Sequence, residues 1–219
     1  MKILNLYACL GGNRYKWNEV KNDIQVTAVE WDEELARLYQ DRFTDDKVIV
    51  GDAHQYLLDH YKDFDFIWSS PPCPSHSRAR GWNPKYKFIY PDMKLYEEII
   101  LLETVTKGKS PRFKGKYVVE NVIPYYQPLL PAQKRNRHLY WTNFNLPTIL
   151  SNRKTCKLGH EKNEINCLSE FHDFDFKKYK GKQSKNKIAR NLVDYQAGKT
   201  ILESVLEINK SKYKQEKLF

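Results

Sequence analysis

The stretch Phe64-Asp65-Phe66-Ile67-Trp68-Ser69-Ser70-Pro71-Pro72-Cys73-Pro74 joins an apolar run to a double proline and a cysteine. The apolar run predicts a buried strand over 64–69. Two prolines fix the backbone of the turn that follows, so the cysteine is held in one place at the carboxyl end of the strand. We interpret Cys73 as a candidate nucleophile rather than as a packing residue.

Short apolar runs and helical patterns alternate around this stretch. Strands are predicted at 2–8, 24–30, 47–51, 64–69 and 116–121, and helices at 13–20, 32–42, 53–61 and 92–107. A strand-like aromatic stretch at 135–146 and a helix at 197–208 follow. This alternation predicts an α/β protein with a doubly wound, mostly parallel sheet, which binds its ligands beyond the carboxyl ends of the strands.

The strand after the long helix ends in Glu120-Asn121-Val122. In a parallel sheet its carboxylate is expected at the same edge as Cys73. A cysteine with a carboxylate is suited to attack on a pyrimidine ring.

Three features at the same edge predict a nucleoside cofactor. Gly11-Gly12 follows the first strand, where backbone without side chains lets a ligand come close. Glu30 ends the second strand and is placed to accept hydrogen bonds from ribose hydroxyls, while Trp31 offers a ring to cover adenine. Asp52 follows the third strand, where it is equally suited to cap a helix.

These motifs resemble those of the S-adenosylmethionine-dependent DNA cytosine-5 methyltransferases over about residues 1–145. Tyr7-Ala8-Cys9-Leu10-Gly11-Gly12 resembles the family's glycine-rich motif, Pro71-Pro72-Cys73 its nucleophile motif, Glu120-Asn121-Val122 its Glu-Asn-Val motif, and Gln133-Lys134-Arg135-Asn136-Arg137 its Gln-x-Arg-x-Arg motif. Two positions depart from the pattern: Cys9 replaces a glycine, and Pro74 replaces a polar residue.

The resemblance implies a Rossmann-like methyltransferase fold and a set of site residues. The implied catalytic residues are Cys73, Glu120 and Arg137; S-adenosyl-L-methionine would contact Tyr7, Leu10, Gly11, Gly12, Glu30, Trp31, Asp52, Ala53 and Pro71; the substrate would contact Ser77, Asn121 and Arg135. Carbon 5 of a cytosine flipped out of DNA, which is expected to be double-stranded, would then be methylated through a covalent adduct with Cys73. RNA cytosine is the alternative substrate.

The remaining chain is expected to divide into short parts. We assign 1–146 to the catalytic and cofactor-binding core, 147–187 to a small, irregular target-recognition segment, 188–209 to a helix that returns to the core, and 210–219 to a basic tail. Because the recognition segment is short, a homodimer or a partner subunit is a candidate source of specificity.

The recognition segment contains two cysteine and histidine pairs, Cys156 with His160 and Cys167 with His172. They suggest a zinc site, but their spacing does not match a standard finger. Free thiols and solvated histidines are the preferred interpretation, and no metal is assigned.

Composition favours a nucleic-acid partner. The 219 residues carry 37 Lys and Arg against 27 Asp and Glu, and 15 Tyr and 5 Trp offer rings for base stacking. The sequence shows neither a cleavable leader nor a long apolar span, so we expect a cytoplasmic protein, bacterial or viral, with no membrane partner.

Two other functions fit parts of the sequence. Amino-group methylation is disfavoured, since Cys73 stands where those enzymes need an aromatic residue after the prolines. A nucleic-acid-binding protein that has lost catalysis is the non-enzymatic alternative.

Overall fold

The computed structural model describes residues 1–82, 87, 89–103, 113–156 and 164–208. Its strands are β1 Lys2–Leu6, β2 Gln25–Glu30, β3 Lys47–Val50, β4 Phe66–Ser69, β5 Lys116–Val122, β6 Gln133–Arg135 and β7 His138–Thr142. Its helices are α1 Glu33–Arg42, α2 Ala53–His60, α3 Lys94–Glu103, α4 Glu164–His172, α5 Lys185–Asn191 and α6 Tyr195–Val205.

The strands form one seven-stranded sheet in the order β3-β2-β1-β4-β5-β7-β6. The pairs from β3 to β5 are parallel, and β7 pairs antiparallel with both β5 and β6. Strand order reverses direction at β1, so a crevice opens between the carboxyl ends of β1 and β4. The predicted α/β fold with a doubly wound, mostly parallel sheet is confirmed.

The central strands are buried on both faces, as a sheet covered by helices requires. In β4, Ile67 packs with the cluster that contains Leu57 of α2 and Ile99 of α3. Phe66 and Trp68 point to the other face, where they join the cluster of Ile201 from α6. This alternation fixes the register of β4 and therefore the position of the turn that follows it.

The predicted helix over 13–20 is wrong. This segment forms consecutive turns and a 3-10 helix at Trp17–Glu19. Trp17 is fully buried, and its indole N–H donates to the Gly198 carbonyl of α6 at 3.2 Å. The backbone of Asn13 also lies so close to Gly198 that a Cβ there would come within 2.1 Å of the Asn13 carbonyl oxygen. Packing against α6 therefore decides the conformation of this segment.

Helices α4 and α5 with the intervening 3-10 turn form a small helical layer, called here the helical cap (residues 164–191). Leu168 and Ile188 pack with Leu10 and with Leu35 of α1. Arg190 of α5 forms an ion pair with Glu164 of α4 at 2.5 Å. The segment 147–187, expected to be irregular, thus contains α4, a 3-10 turn and the start of α5, and these pack against α1.

Candidate active site

The loop after β1 has an unusual backbone. Tyr7 (φ 55°), Cys9 (φ 48°) and Gly11 (φ 66°) all occupy the left-handed region. A side chain at Gly11 would also collide with the rings of Tyr39 and Phe43. The left-handed φ of Cys9 explains why glycine suits this position better, since a Cβ is strained there.

Glu30, at the end of β2, is tied to this loop. Its carboxylate accepts hydrogen bonds from the backbone N–H of Cys9 at 2.7 Å and of Asp32 at 2.9 Å. Burial raises the pKa of Glu30, and these two N–H donors offset part of that effect. Trp31 beside it is 75% exposed, so its ring is available to a ligand.

Asp52 is the N-cap of α2, as its sequence alternative proposed. Its carboxylate accepts from the N–H groups of His54 and Gln55, and Lys94 lies 3.6 Å away. The pKa of Asp52 is lowered overall. Burial alone would raise this pKa, but the hydrogen bonds from His54 and Gln55 outweigh the effect of burial. The carboxylate is therefore ionised at neutral pH. Ala53, the first residue of α2, is buried behind it.

A buried carboxylate, Glu98 of α3, links the first and fourth strands. It accepts hydrogen bonds from the Tyr7 hydroxyl at 2.6 Å and the Ser69 hydroxyl at 2.5 Å, and its Oε1 lies 3.0 Å from His54 Nδ1. The hydrogen bond with Glu98 raises the pKa of His54. Sequence reasoning missed Glu98, because an acid in an amphipathic helix usually faces solvent.

The Pro71-Pro72-Cys73 turn is held from both sides. The buried Asn121 side chain donates to the Pro71 carbonyl at 3.0 Å. After the turn, the N–H groups of His76 and Ser77 both donate to the Cys73 carbonyl at 3.0 Å. Burial, and then the nearby Glu120 carboxylate, raise the pKa of the Cys73 thiol, whereas Lys187 acts in the opposite direction.

Glu120 lies on β5 opposite Tyr140 of β7, and its side chain is only 10% exposed. His138 Nε2 lies 3.6 Å from its carboxylate. The antiparallel pairing with β7 therefore fixes a buried carboxylate in the same cleft as Cys73.

The two arginines of the β6–β7 hairpin differ in their surroundings. The Arg135 guanidinium donates to the carbonyls of Leu146 at 2.6 Å and Pro147 at 2.5 Å, so it fixes the chain that leaves β7. Arg137 is exposed and lines the cleft. Sequence reasoning treated Arg137 as catalytic and Arg135 as a substrate contact, and it could not foresee the anchoring bonds of Arg135.

One cleft of about 1150 Å³ joins most of these residues. Its walls contain the predicted site residues Tyr7, Gly12, Glu30, Trp31, Asp52, Ala53, Pro71, Cys73, Glu120, Asn121, Arg135 and Arg137. Leu10, Gly11 and Ser77 lie outside the walls. Leu10 is fully buried, and Ser77 pairs with Pro124 on the loop after β5.

The helical cap and the segment before it complete the cleft. Arg153, His172, Lys187 and Asp194 line it, and none of them was predicted as a catalytic, cofactor-binding or substrate-binding residue. The Arg153 guanidinium stacks between the rings of Phe171 and Tyr195 and pairs with Asp194 at 2.6 Å. Only the lysine-rich composition of 177–187 hinted that this part contributes to the site.

The expected free thiols in this segment are a wrong prediction, because Cys156 and Cys167 form a disulfide. His172 is also not solvated: it is 3% exposed, and burial lowers its pKa to about 4. The two sulfurs that a zinc site would need are bonded to each other, and His160 lies outside the described residues.

The cleft fits S-adenosylmethionine in size and chemistry. Its volume exceeds that of most single-ligand pockets, so a nucleoside cofactor and a base have room together. Glu30 has the carboxylate that ribose hydroxyls require, the exposed Trp31 ring is suited to cover adenine, and Tyr7, Gly12 and Pro71 line the same cleft as Cys73.

Comparison with known proteins agrees with this description. Residues 1–102 match the family model described as C-5 cytosine-specific DNA methylase, which implies S-adenosylmethionine as cofactor. No curated protein sequence matches the chain significantly. Across the described residues, no helix is long and apolar enough to cross a membrane.

Similar solved structures include three with low identity. A hypothetical protein of Thermus thermophilus is 17% identical, with 64% of this chain and 73% of that chain covered and a TM-score of 0.41. A Spodoptera frugiperda DNMT2 mutant is 22% identical over 55% of this chain and 35% of that chain, with a TM-score of 0.36. The S. pombe Dnmt2 methyltransferase is 17% identical over 56% of this chain and 36% of that chain, with a TM-score of 0.41. The matched part is about a third of the two Dnmt2 chains.

Proposed function

We propose that this chain, a methyltransferase whose residues 1–102 match the C-5 cytosine-specific DNA methylases, methylates carbon 5 of cytosine in DNA. The observation that supports this most is the joint position of Cys73 and Glu120. The cleft that they share also contains the residues suited to the cofactor.

The proposed reaction begins with Cys73. Its thiolate adds to carbon 6 of cytosine, and the electrons of the ring double bond move to carbon 5. Glu120 donates a hydrogen bond or proton to N3, which stabilises the charge that develops on the ring. Arg137 serves the pocket or an adjacent phosphate, for which a guanidinium is suited.

S-adenosylmethionine, when bound, supplies an electrophilic methyl group. Carbon 5 takes this methyl group and then loses its proton to a base. The ring double bond re-forms, and the Cys73 thiolate leaves. The residues proposed to bind the cofactor are Tyr7, Leu10, Gly11, Gly12, Glu30, Trp31, Asp52, Ala53 and Pro71; for Leu10 and Gly11 the role is to shape the loop, because they do not line the cleft.

The chain outside the catalytic core receives proposed roles as well. We assign target recognition to 147–187, and a homodimer or a partner subunit would extend the contact with DNA. Asn121 is proposed to hold the nucleophile turn, and Arg135 to hold the chain after β7.

The test is methyl transfer from labelled S-adenosylmethionine to DNA by the full chain and by Cys73→Ala. Turnover by the wild type and none by Cys73→Ala, with cofactor affinity retained, is the expected result. An equal rate for the two proteins would refute the nucleophile.

A further inference from the structure

A group of aromatic and basic residues, all exposed except the half-buried Arg80, adjoins the Cys73 turn. We define the aromatic-basic surface as Trp82, Tyr90 and Tyr125 together with Arg78, Arg80 and Lys87. Trp82 is 81% exposed and Tyr90 is 95% exposed, while Tyr125 is 36% exposed. Rings of this size contribute most to folding when buried, so their exposure needs another explanation.

Hydrogen bonds connect this surface to the nucleophile turn. Arg78 Nε donates to the Pro124 carbonyl at 2.9 Å, and the Tyr125 N–H donates to the His76 carbonyl at 3.0 Å. The Tyr125 hydroxyl donates to the Ile89 carbonyl at 3.1 Å, which holds the segment that carries Tyr90. The segments that carry Tyr90 and Tyr125 are therefore held beside the turn that carries Cys73, and Trp82 ends the 3-10 helix that follows Ser77.

Residues on either side of this surface in the sequence reach the cleft. Pro74 and Lys94, which flank it in sequence, both line the cleft that contains Cys73 and Glu120. A strand lying across the aromatic-basic surface would thus pass the mouth of the cleft. The chain's net charge of +10 and the three basic residues of this surface suit a polyanion.

Exposed rings beside cations recognise bases whose faces are open. Such platforms bind single strands by stacking, and their basic side chains follow the phosphates. In a duplex the faces of the bases are covered by their neighbours, so rings on this surface would have nothing to stack on. The helical cap, in comparison, packs on α1, where Asp32 accepts from Tyr179 and Gln183.

We propose that the aromatic-basic surface binds an unpaired DNA strand, so that the substrate cytosine is already outside a duplex when it enters the cleft. This inference rests on the proposed function for the identity of the target base, and on the exposed rings for the form of the DNA.

The experiment compares three labelled DNAs of one sequence with the full chain: a single strand of about 20 nucleotides, its duplex, and the duplex with the target cytosine in a small unpaired loop. Fluorescence anisotropy gives each Kd. The single strand and the loop are expected to bind at least about tenfold more tightly than the duplex, since stacking is worth about 1–3 kcal/mol per base. Equal or tighter binding of the duplex would overturn the inference.

Variants locate the binding. Trp82→Ala and Tyr90→Ala should each weaken single-strand binding by about tenfold, and Trp82→Phe should restore most of it. Leu58→Ala, which changes an exposed apolar side chain on α2, is the matched control and should have no effect. Unchanged binding in both alanine variants would contradict the assignment.

Methyl transfer to the same DNAs is measured separately. If the cofactor binds but none of the three DNAs is methylated, the proposed function fails. The ratio of the Kd for the duplex to the Kd for the single strand still decides which form of DNA is bound. Tighter binding of the single-stranded RNA equivalent than of the DNA would overturn the choice of DNA.

Discussion

The side-chain amide of Asn121 donates a hydrogen bond to the Pro71 carbonyl at 3.0 Å, which joins the carboxyl ends of β4 and β5. Asn121 is 2% exposed, and its side-chain oxygen Oδ1 accepts a hydrogen bond from the Val122 N–H. Both functions of the amide are therefore used. The position of Cys73 depends on this contact, because Pro71 is two residues before it.

Replacing Asn121 with alanine should disturb the nucleophile turn more than the fold. Loss of the bond leaves the Pro71 carbonyl unpaired, and a shift of about 1 Å in a reacting group can cost about 10²-fold in rate. We expect kcat to fall on this scale while the Kd for S-adenosylmethionine changes little.

Asn143→Ala is the matched control for this experiment. Asn143 donates to the Gly115 carbonyl and accepts from the Tyr117 N–H, at the opposite end of β5. The Asn143→Ala substitution should lower the free energy of unfolding and leave kcat unchanged. Equal losses of kcat in the two variants would show that Asn121 acts only through general stability.

The pKa of Cys73 should respond in opposite directions to its two charged neighbours. Burial and the Glu120 carboxylate raise this pKa, and Lys187 lowers it. The thiolate is therefore scarce at neutral pH, and the alkylation rate should rise about tenfold per pH unit until the pKa is reached. Glu120→Gln should move the midpoint to lower pH, and Lys187→Ala should move it to higher pH.

Alkylation of Cys73 by iodoacetamide, followed by peptide mass spectrometry, measures both midpoints. In the Glu120→Gln variant, kcat should fall far more than the affinity for DNA, because glutamine retains the shape of glutamate but has no acidic group. If the pH midpoint of alkylation is the same in both variants as in the wild type, these two charges lie too far from the thiol to affect its pKa.

Backbone strain at Cys9 gives a stability prediction. A residue with a Cβ in the left-handed region is disfavoured by about 1–2 kcal/mol, and Cys9 has φ 48°. Cys9→Gly should therefore be more stable to urea than Cys9→Ala by about 1 kcal/mol, since both variants lose the thiol and only alanine retains the strain. An alanine variant as stable as the glycine variant would contradict this account.

The buried pair of Arg14 and Asp46 supports the same loop. Two hydrogen bonds of 2.9 Å join their side chains, and the Tyr39 hydroxyl donates to Asp46 at 2.8 Å. Asp46→Asn leaves the Arg14 charge buried without its partner and should cost about 3–5 kcal/mol of unfolding free energy. Urea denaturation measures this loss. The control variant Asp41→Asn, which removes an exposed ion pair with Arg37, should have a far smaller effect because solvent screens that pair.

The sheet was predictable because its strands are short apolar runs that end at turn residues. Observed β4, Phe66–Ser69, begins two residues later than the predicted strand, and β5 extends to Val122. The prediction of a helix at 13–20 was wrong because the apolar spacing there reflects one residue, Trp17, which is buried against α6. Local pattern does not reveal such a distant partner.

The position of Cys73 and Glu120 in one cleft was predictable, because Cys73 follows β4 and Glu120 lies near the carboxyl end of β5. The helical cap was not, since its shape depends on long-range contacts such as Leu168 with Leu35 and on the Cys156–Cys167 disulfide. Glu98 was missed for a related reason. Its three partners come from the loop after β1, from α2 and from the end of β4, and no local spacing in the sequence connects them.

Covalent trapping of cytosine on Cys73 is the decisive experiment for the proposed mechanism. The full chain is incubated with S-adenosylmethionine and DNA that contains 5-fluorocytosine, whose fluorine cannot leave as the carbon-5 proton does. We predict a denaturant-stable adduct that mass spectrometry maps to Cys73 and that is absent in Cys73→Ala. No adduct in either protein, with the cofactor bound, or an adduct at another residue would contradict this mechanism.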